Sequence, residues 1–302
     1  MNTASLSRRD FLRQSALLAA SAPLLSASVE SNTPPARPPI VGFSKPFQSL
    51  RPDDMAELVA EVGWDGIECP VRRRGQIEPE RVADELPHVV EALRRHGAAV
   101  HILATNITSM DNPFAERVLR TAATLGVRII RLGYWYYGDD DSPTHRVQEI
   151  RPALRDLEAA CRSLGLRAGY QNHSGHNYVG GPLWDILPLI QEINSPHLGL
   201  CFDIGHATIE GGLSWPIDAR AAASSIVALY VKDFAWSKTS RGWQPAWCPL
   251  GDGMISSAYF QSPAARTLDG PISQHHEYEL GDRHAMVAHM KRDLNVLRQW
   301  LG

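Results

Sequence analysis

ALRRHGAAVHILAT, residues 92–105, joins two patterns at one glycine. Before Gly97 the residues follow a helical spacing, with Arg94, Arg95 and His96 in the last turn, where cations complement the negative end of a helix dipole. After it, AAVHILAT is a short β-rich run. Glycine at a helix stop supplies the left-handed backbone that other residues adopt only at a cost, and a strand starting at once behind it marks an αβ loop. The same junction recurs in TAATLGVRIIRLG (121–133) and ACRSLGLRAGYQN (160–172). A repeated αβ unit means parallel strands covered by helices.

Read outward in both directions, the chain shows eight such runs: 40–45, 66–70, 98–105, 127–133, 166–172, 198–205, 226–233 and 271–279. Helical patterns at 52–62, 79–96, 114–125, 144–164, 183–193, 215–224, 254–260 and 284–301 alternate with them. Eight of each predicts an α/β fold of the (β/α)8 TIM barrel type, a single domain over residues 40–302. An open doubly wound sheet would call for a Gly-rich phosphate loop after the first strand, and GFSKPFQS (42–49) is not one.

The segment ahead of this region reads differently. SLSRRDFLRQSALLAASAPLLSAS (5–28) has Arg8-Arg9, then Phe11-Leu12, then a modest Ala/Leu/Ser stretch ending in small residues. That is the twin-arginine export pattern, so residues 1–28 are expected to be a signal peptide and the mature protein periplasmic or otherwise exported, with retention as an uncleaved anchor the alternative. The apolar part is short for a bilayer span, and no other membrane segment is expected. Residues 29–39, rich in proline, read as a linker. Without residues 1–28 the formal charge moves from −3 to −5, since three Arg and one Asp leave with them. A mildly acidic chain with no basic run argues against a nucleic-acid partner. Cys69, Cys161, Cys201 and Cys248 have no paired spacing and read as free thiols.

In a barrel of this kind the chemistry sits at the C-terminal strand ends. Polar residues concentrate there: Glu68; His101; Gln171, Asn172 and His173; Asp203 and His206 in LCFDIGHA (200–207); Tyr230, Lys232 and Asp233; His275, Glu277 and Glu279. Side-chain alternation points Gln171, Asp203, Tyr230, Lys232 and Glu277 toward the axis. Arg72, in GIECPVRRRG (66–75), suits hydroxyl or carboxylate oxygens, whereas Arg73 and Arg74 read as a solvated loop. AWSKTSRGWQPAWCPLGDG (235–253) is an insertion whose Trp236 and Trp247 are candidate sugar-stacking residues.

GWDGIE (63–68), QNH (171–173), FDIGHA (202–207), YVKD (230–233), PLGDG (249–253) and HHEYE (275–279) together resemble the xylose isomerase-like barrel superfamily of sugar isomerases and epimerases, over residues 40–301. The resemblance implies one divalent metal held by Glu on the fifth strand, Asp on the sixth, His on the seventh and Glu on the eighth. Asp203 and Glu277 match; Gln171 and Tyr230 stand where Glu and His are implied. An amide or a phenol is a poorer ligand than a carboxylate or imidazole. Two readings follow. Either an ion (Mn, Co, Zn or Fe) sits in a shifted shell of Asp203, His206, His173 and Glu277, or no metal binds and Lys232 supplies the positive field.

The resulting expectation is an exported isomerase or epimerase acting by proton abstraction next to a carbonyl. Its substrate is a small carbohydrate, non-phosphorylated or a keto-sugar. Glu277, His206, Lys232 and His173 are the catalytic candidates, and Arg72, Glu68, Gln171, Asn172, Trp236 and Trp247 the substrate contacts. A keto-sugar lyase or hydratase, and a carbohydrate-binding barrel that has lost its chemistry, are the alternatives. A nuclease would need a dense histidine shell and a cationic groove.

Overall fold

A computed structural model describes residues 37–140, 142–262, 265 and 268–302. The expected signal peptide (1–28) and all but the end of the expected linker lie outside the described residues. Along the chain, β1 (Ile40–Phe43), β2 (Gly66–Pro70), β3 (Ala99–Ala104), β4 (Ile129–Arg131), β5 (Arg167–Gln171), β6 (Leu198–Asp203) and β7 (Ile226–Val231) are each parallel to the next. Then β8 (Asp233–Thr239) and β9 (Gly242–Cys248) form an antiparallel hairpin outside the barrel. Last, β10 (Ile272–Gln274) inserts between β7 and β1 and closes the eight-stranded ring. This is the expected TIM barrel, in one domain.

Among the described residues the helices are α1 (Pro52–Val62), α2 (Val82–Arg95), α3 (Ala115–Thr124), α4 (Pro143–Ser163), α5 (Leu187–Ile193), α6 (Ile204–Gly211), α7 (Trp215–Ala222) and α8 (Arg283–Leu301). Their apolar stripes, such as Leu58 and Val59 of α1 and Leu154 and Leu157 of α4, are fully buried. The helix-stop glycines behave as the junctions predict: Gly97, Gly126 and Gly165 adopt φ of +71°, +78° and +66°. A second apolar cluster of Ile102, Ile129, Cys201, Val227, Ala228 and Tyr230, separate from the main core, fills the barrel interior.

Where elements differ from expectation, several differences have identifiable reasons. The sixth strand ends at Asp203 rather than residue 205, because the Asp203 carboxylate accepts the His206 backbone N–H at 3.0 Å and starts α6. The insertion at 235–253 is an ordered hairpin rather than a loop. Asp233 ties its return: its two carboxylate oxygens accept the N–H groups of Phe234, Gly251, Gly253 and Ile255 at 2.8–3.0 Å. A Cβ on Gly253 would stand 2.3 Å from Asp233 Oδ1, so the PLGDG motif needs glycine there. The helix expected at 254–260 is a 3-10 segment, Ser257–Gln261. The eighth strand stops at Gln274, and His275, still bonded through its N–H to Val231 O at 2.9 Å, begins the departure toward the mouth.

Candidate active site

At the C-terminal mouth, side chains close around a cavity of about 120 Å³. Phe43 and Lys45 reach it from β1, Glu68 and Arg72 from β2, Arg131 and Tyr134 from β4, Gln171 and His173 from β5, Lys232 from β7, and His275 and Glu277 from β10. A larger cleft of about 710 Å³ lies to the side, among residues 71–80 and 106–118, and holds none of the strand-end groups singled out above.

Lys232 is the centre of this arrangement. Its Nζ lies 3.1 Å from Asp203 Oδ2, 2.8 Å from His206 Nε2 and 4.0 Å from Glu277 Oε1, and it is almost wholly buried. The face of Trp247 covers it, 4.7 Å from Nζ to the ring centroid, a cation–π contact. Burial first, then the neighbouring Lys232, holds His206 well below the ordinary histidine pKa, so its imidazole is neutral. A neutral Nε2 facing an ammonium accepts, which leaves the hydrogen on Nδ1 to donate to Ser174 Oγ at 2.7 Å. His173 stacks on Tyr178 at 4.3 Å and packs tilted against His206 at 3.9 Å, and burial together with Lys232 lowers its pKa to about 4. Burial acts to raise the Glu277 pKa, but Lys232, His275 and Lys45 outweigh it and hold the carboxyl below its ordinary value.

Beneath the cavity lies a buried anchor. Glu68 accepts from Tyr230 Oη at 2.9 Å and from Ser273 Oγ at 2.7 Å, pairs with His275 Nε2 at 3.0 Å, and lies 3.9 Å from Arg131 Nε. Burial opposes its ionisation, yet His275, Arg131 and Ser273 keep its pKa lowered. Both Glu68 oxygens are thus occupied by protein, so it supports the ring as well as lining the cavity where a substrate contact is expected. Glu68→Gln leaves Arg131 buried without its counter-charge; a loss of about 3 kcal/mol is expected in urea unfolding, and an unchanged midpoint would contradict this role.

Gln171 links the two layers. Its oxygen accepts from Tyr134 Oη and from Arg131 Nη1, and its amide donates to Asp203 Oδ2 at 2.8 Å. Asn172 does not line the cavity: its amide clamps the Asp203 backbone, donating to the carbonyl at 3.0 Å and accepting from the N–H at 2.8 Å. Trp236 does not line it either; it is 40% exposed on the hairpin and packs edge-on against Phe234. The expected substrate contacts at Asn172 and Trp236 are therefore replaced by structural ones. Arg131, Lys45 and Ser174 belong to the site but were not singled out from the sequence.

The donor set does not fit the divalent ion implied by the resemblance. Lys232 Nζ stands among Asp203, His206 and Glu277, three of the four ligands of the shifted shell, and a dication there would meet an ammonium at contact distance. Gln171 turns its N–H toward Asp203, and Tyr230 donates to Glu68 below. Among the described residues no group of three or more His, Cys, Asp or Glu is arranged to hold a metal.

The buried neutral histidines set the acid behaviour of the fold. His173, His206 and His276, the last held at about 3, all have folded pKa values below the unfolded value of about 6.5. Below that pH the unfolded chain takes up protons the folded one refuses. Stability is thus full above pH 6.5 and falls as pH drops toward 4, each histidine contributing up to about 1.4 kcal/mol per pH unit. Urea midpoints at pH 7, 6 and 5 check this; a flat series would contradict it.

A closed parallel barrel with a ring of polar strand tips defines the class. The chain belongs to the xylose isomerase-like TIM barrel family, whose model matches residues 56–300. It is 28% identical over 180 residues to 3-oxo-isoapionate decarboxylase of Pectobacterium atrosepticum, a match covering 56% of this chain and 59% of that relative's length. In fold it resembles 3-keto-D-glucoside 4-epimerase from E. coli, with a TM-score of 0.67, 16% identity, and coverage of 87% of this chain and 100% of the other. It also resembles a xylose isomerase-like TIM barrel protein from Mycobacterium smegmatis in complex with magnesium, with a TM-score of 0.63, 17% identity, and coverage of 88% and 98%.

Proposed function

We propose that the chain is an isomerase or epimerase of a small keto-sugar that works by proton abstraction next to the carbonyl. The observation that carries this reading is the Lys232 ammonium. One of its three N–H donors goes to His206 and the Asp203 carboxylate lies at ion-pair distance, which leaves donor capacity for a substrate oxygen at the cavity Lys232 lines. A carbonyl oxygen accepting that N–H gains negative charge as the adjacent carbon loses its proton, beside a cation already fixed in place. Glu277, ionised and lining the same cavity, takes the proton and returns it. Asp203, Gln171 and the neutral His206 hold Lys232, and Trp247 shields it from water. In this reading Lys232 stands where the family resemblance implies an ion, and no step requires a metal.

The name of the Pectobacterium relative supports a second reading, loss of CO₂ from an oxo-acid, which leaves an enolate on the same ammonium. Export remains part of the proposal on the strength of the Arg8-Arg9 segment. The test is a keto-sugar panel incubated with the purified protein in deuterated water and followed by NMR. Deuterium beside the carbonyl supports the first reading, CO₂ release without prior exchange the second. Binding with neither would leave a carbohydrate-binding barrel.

A further inference from the structure

Charge pairing around the cavity closes for every lining Lys and Arg except one. Lys45 Nζ is 3.3 Å from Glu277 Oε2, Arg131 Nε is 3.9 Å from Glu68 Oε1, and Lys232 Nζ is 3.1 Å from Asp203 Oδ2. Arg72 lines the same cavity with no carboxylate of the described residues within ion-pair distance. Its guanidinium carbon rests over the Phe43 ring, 5.7 Å from the centroid, which fixes the plane of the fork while leaving its N–H edge unclaimed. Phe43 is in turn stacked on His275 at 4.6 Å, so the platform belongs to the ring rather than to the loop. The adjacent Arg73 and Arg74 are exposed and line the lateral cleft instead. Arg72 is half-buried, and burial and then the neighbouring Arg131 lower its pKa; Glu68 and Glu277 oppose this only from beyond ion-pair distance, so its charge is partly desolvated with no carboxylate of the described residues in direct contact.

We propose that Arg72 is the subsite for a carboxylate carried by the substrate, so that the substrate class is a sugar acid rather than a neutral sugar or a phosphate ester. The statement rests on the reading of the cavity as a keto-sugar site and adds the anion to it. One uncompensated positive charge matches a monoanion, and the planar fork matches the two oxygens of a carboxylate. A phosphate monoester brings a second negative charge that this cavity leaves unpaired. With the carboxylate on Arg72 from β2 and a carbonyl on Lys232 from β7, the two groups define opposite ends of the bound molecule.

The test uses unreactive ligands, so it does not depend on the proposed chemistry. Calorimetry on the full chain compares D-xylonate and D-gluconate with xylitol and sorbitol, and with sorbitol 6-phosphate, which has no carbonyl. The acids are expected to bind about 30-fold more tightly than the alditols. Arg72→Gln should shrink that preference to within about threefold, and Arg72→Lys, which keeps the charge but not the fork, should restore part of it. Equal binding of acids and alditols, no binding of either, or a preference that survives Arg72→Gln would overturn the proposal. So would a phosphate ester that binds more tightly than the acids through Arg72. Absence of deuterium exchange with every keto-sugar would sink the proton-abstraction reading and leave an Arg72-dependent acid preference standing.

Discussion

Lys232→Met is expected to lower kcat by about a thousandfold, the scale on which removal of a single buried donor from a developing oxyanion acts. Methionine keeps the length of the side chain under Trp247 but takes the ammonium from Asp203, His206 and Glu277 at once. Asp203 is then buried without the cation it faced, while Glu277 keeps Lys45, so a stability loss of about 3–5 kcal/mol accompanies the kinetic one. Circular dichroism and a urea midpoint separate the two effects: the variant must be folded under assay conditions for its rate to count. Because the lost interaction strengthens as charge develops on the substrate oxygen, the fall should appear in kcat and in kcat/KM alike. A folded Lys232→Met protein with near-normal kcat would remove Lys232 from the chemistry and leave it a structural cation.

Glu277→Gln is expected to cost about a thousandfold in kcat, the loss of a positioned general base, with KM little changed. The variant keeps its shape and a hydrogen-bonding oxygen toward Lys45. The pH dependence gives a second readout. A base must be deprotonated to act, and Lys232, His275 and Lys45 outweigh burial to hold Glu277 below the ordinary glutamate value. The acid limb of kcat/KM should therefore lie below about pH 4.3, and the residual activity of Glu277→Gln should lack it. Pre-equilibrated protein and short assays keep this limb distinct from the histidine-driven loss of stability at higher pH. An acid limb near pH 6.5 in the wild-type enzyme, or one that persists in Glu277→Gln, would assign the base to another group.

How much of this was open to a reader of the sequence depends on which physical signal each residue leaves. The αβ junctions at Gly97, Gly126 and Gly165 carry both a backbone demand and a change of periodicity, and they located the barrel correctly. Alternation pointed Gln171 and Asp203 inward, and they stand at or directly behind the cavity, since a strand offers only two faces. Glu277 reaches it from beyond the end of β10, where alternation no longer applies, and Tyr230 turns to Glu68 below. What alternation cannot say is what a polar tip meets. Asp233 closes the apolar run 226–233 in the sequence, yet it opens β8 and accepts four backbone N–H groups at the base and return of the hairpin. Asn172 adjoins Gln171 but clamps the neighbouring strand's backbone. Both uses are set by chain segments distant in sequence.

Arg131 shows the opposite failure. In VRIIRLG it lies inside an apolar run, and a charged residue two positions before a glycine reads as the end of a strand. The signal was the arginine itself, because a guanidinium on a barrel strand must find partners inside, and it finds Glu68, Gln171 and the Thr105 carbonyl. Lys45 follows the first strand in GFSKPF, where only the missing phosphate loop had been considered. Helix α6 was hidden for a simpler reason: the strand and the helix share Asp203, the last residue of one and the cap of the other.

The central proposal is that the Lys232 ammonium stands where the family resemblance implies a metal ion. Its most direct test is the rate of deuterium exchange beside the substrate carbonyl in protein stripped of divalent metal by chelation and verified by elemental analysis. An unchanged rate, with no gain on adding back Mn²⁺, Co²⁺, Zn²⁺ or Mg²⁺, is the predicted result. Loss of exchange on stripping and recovery with one of those ions would contradict it.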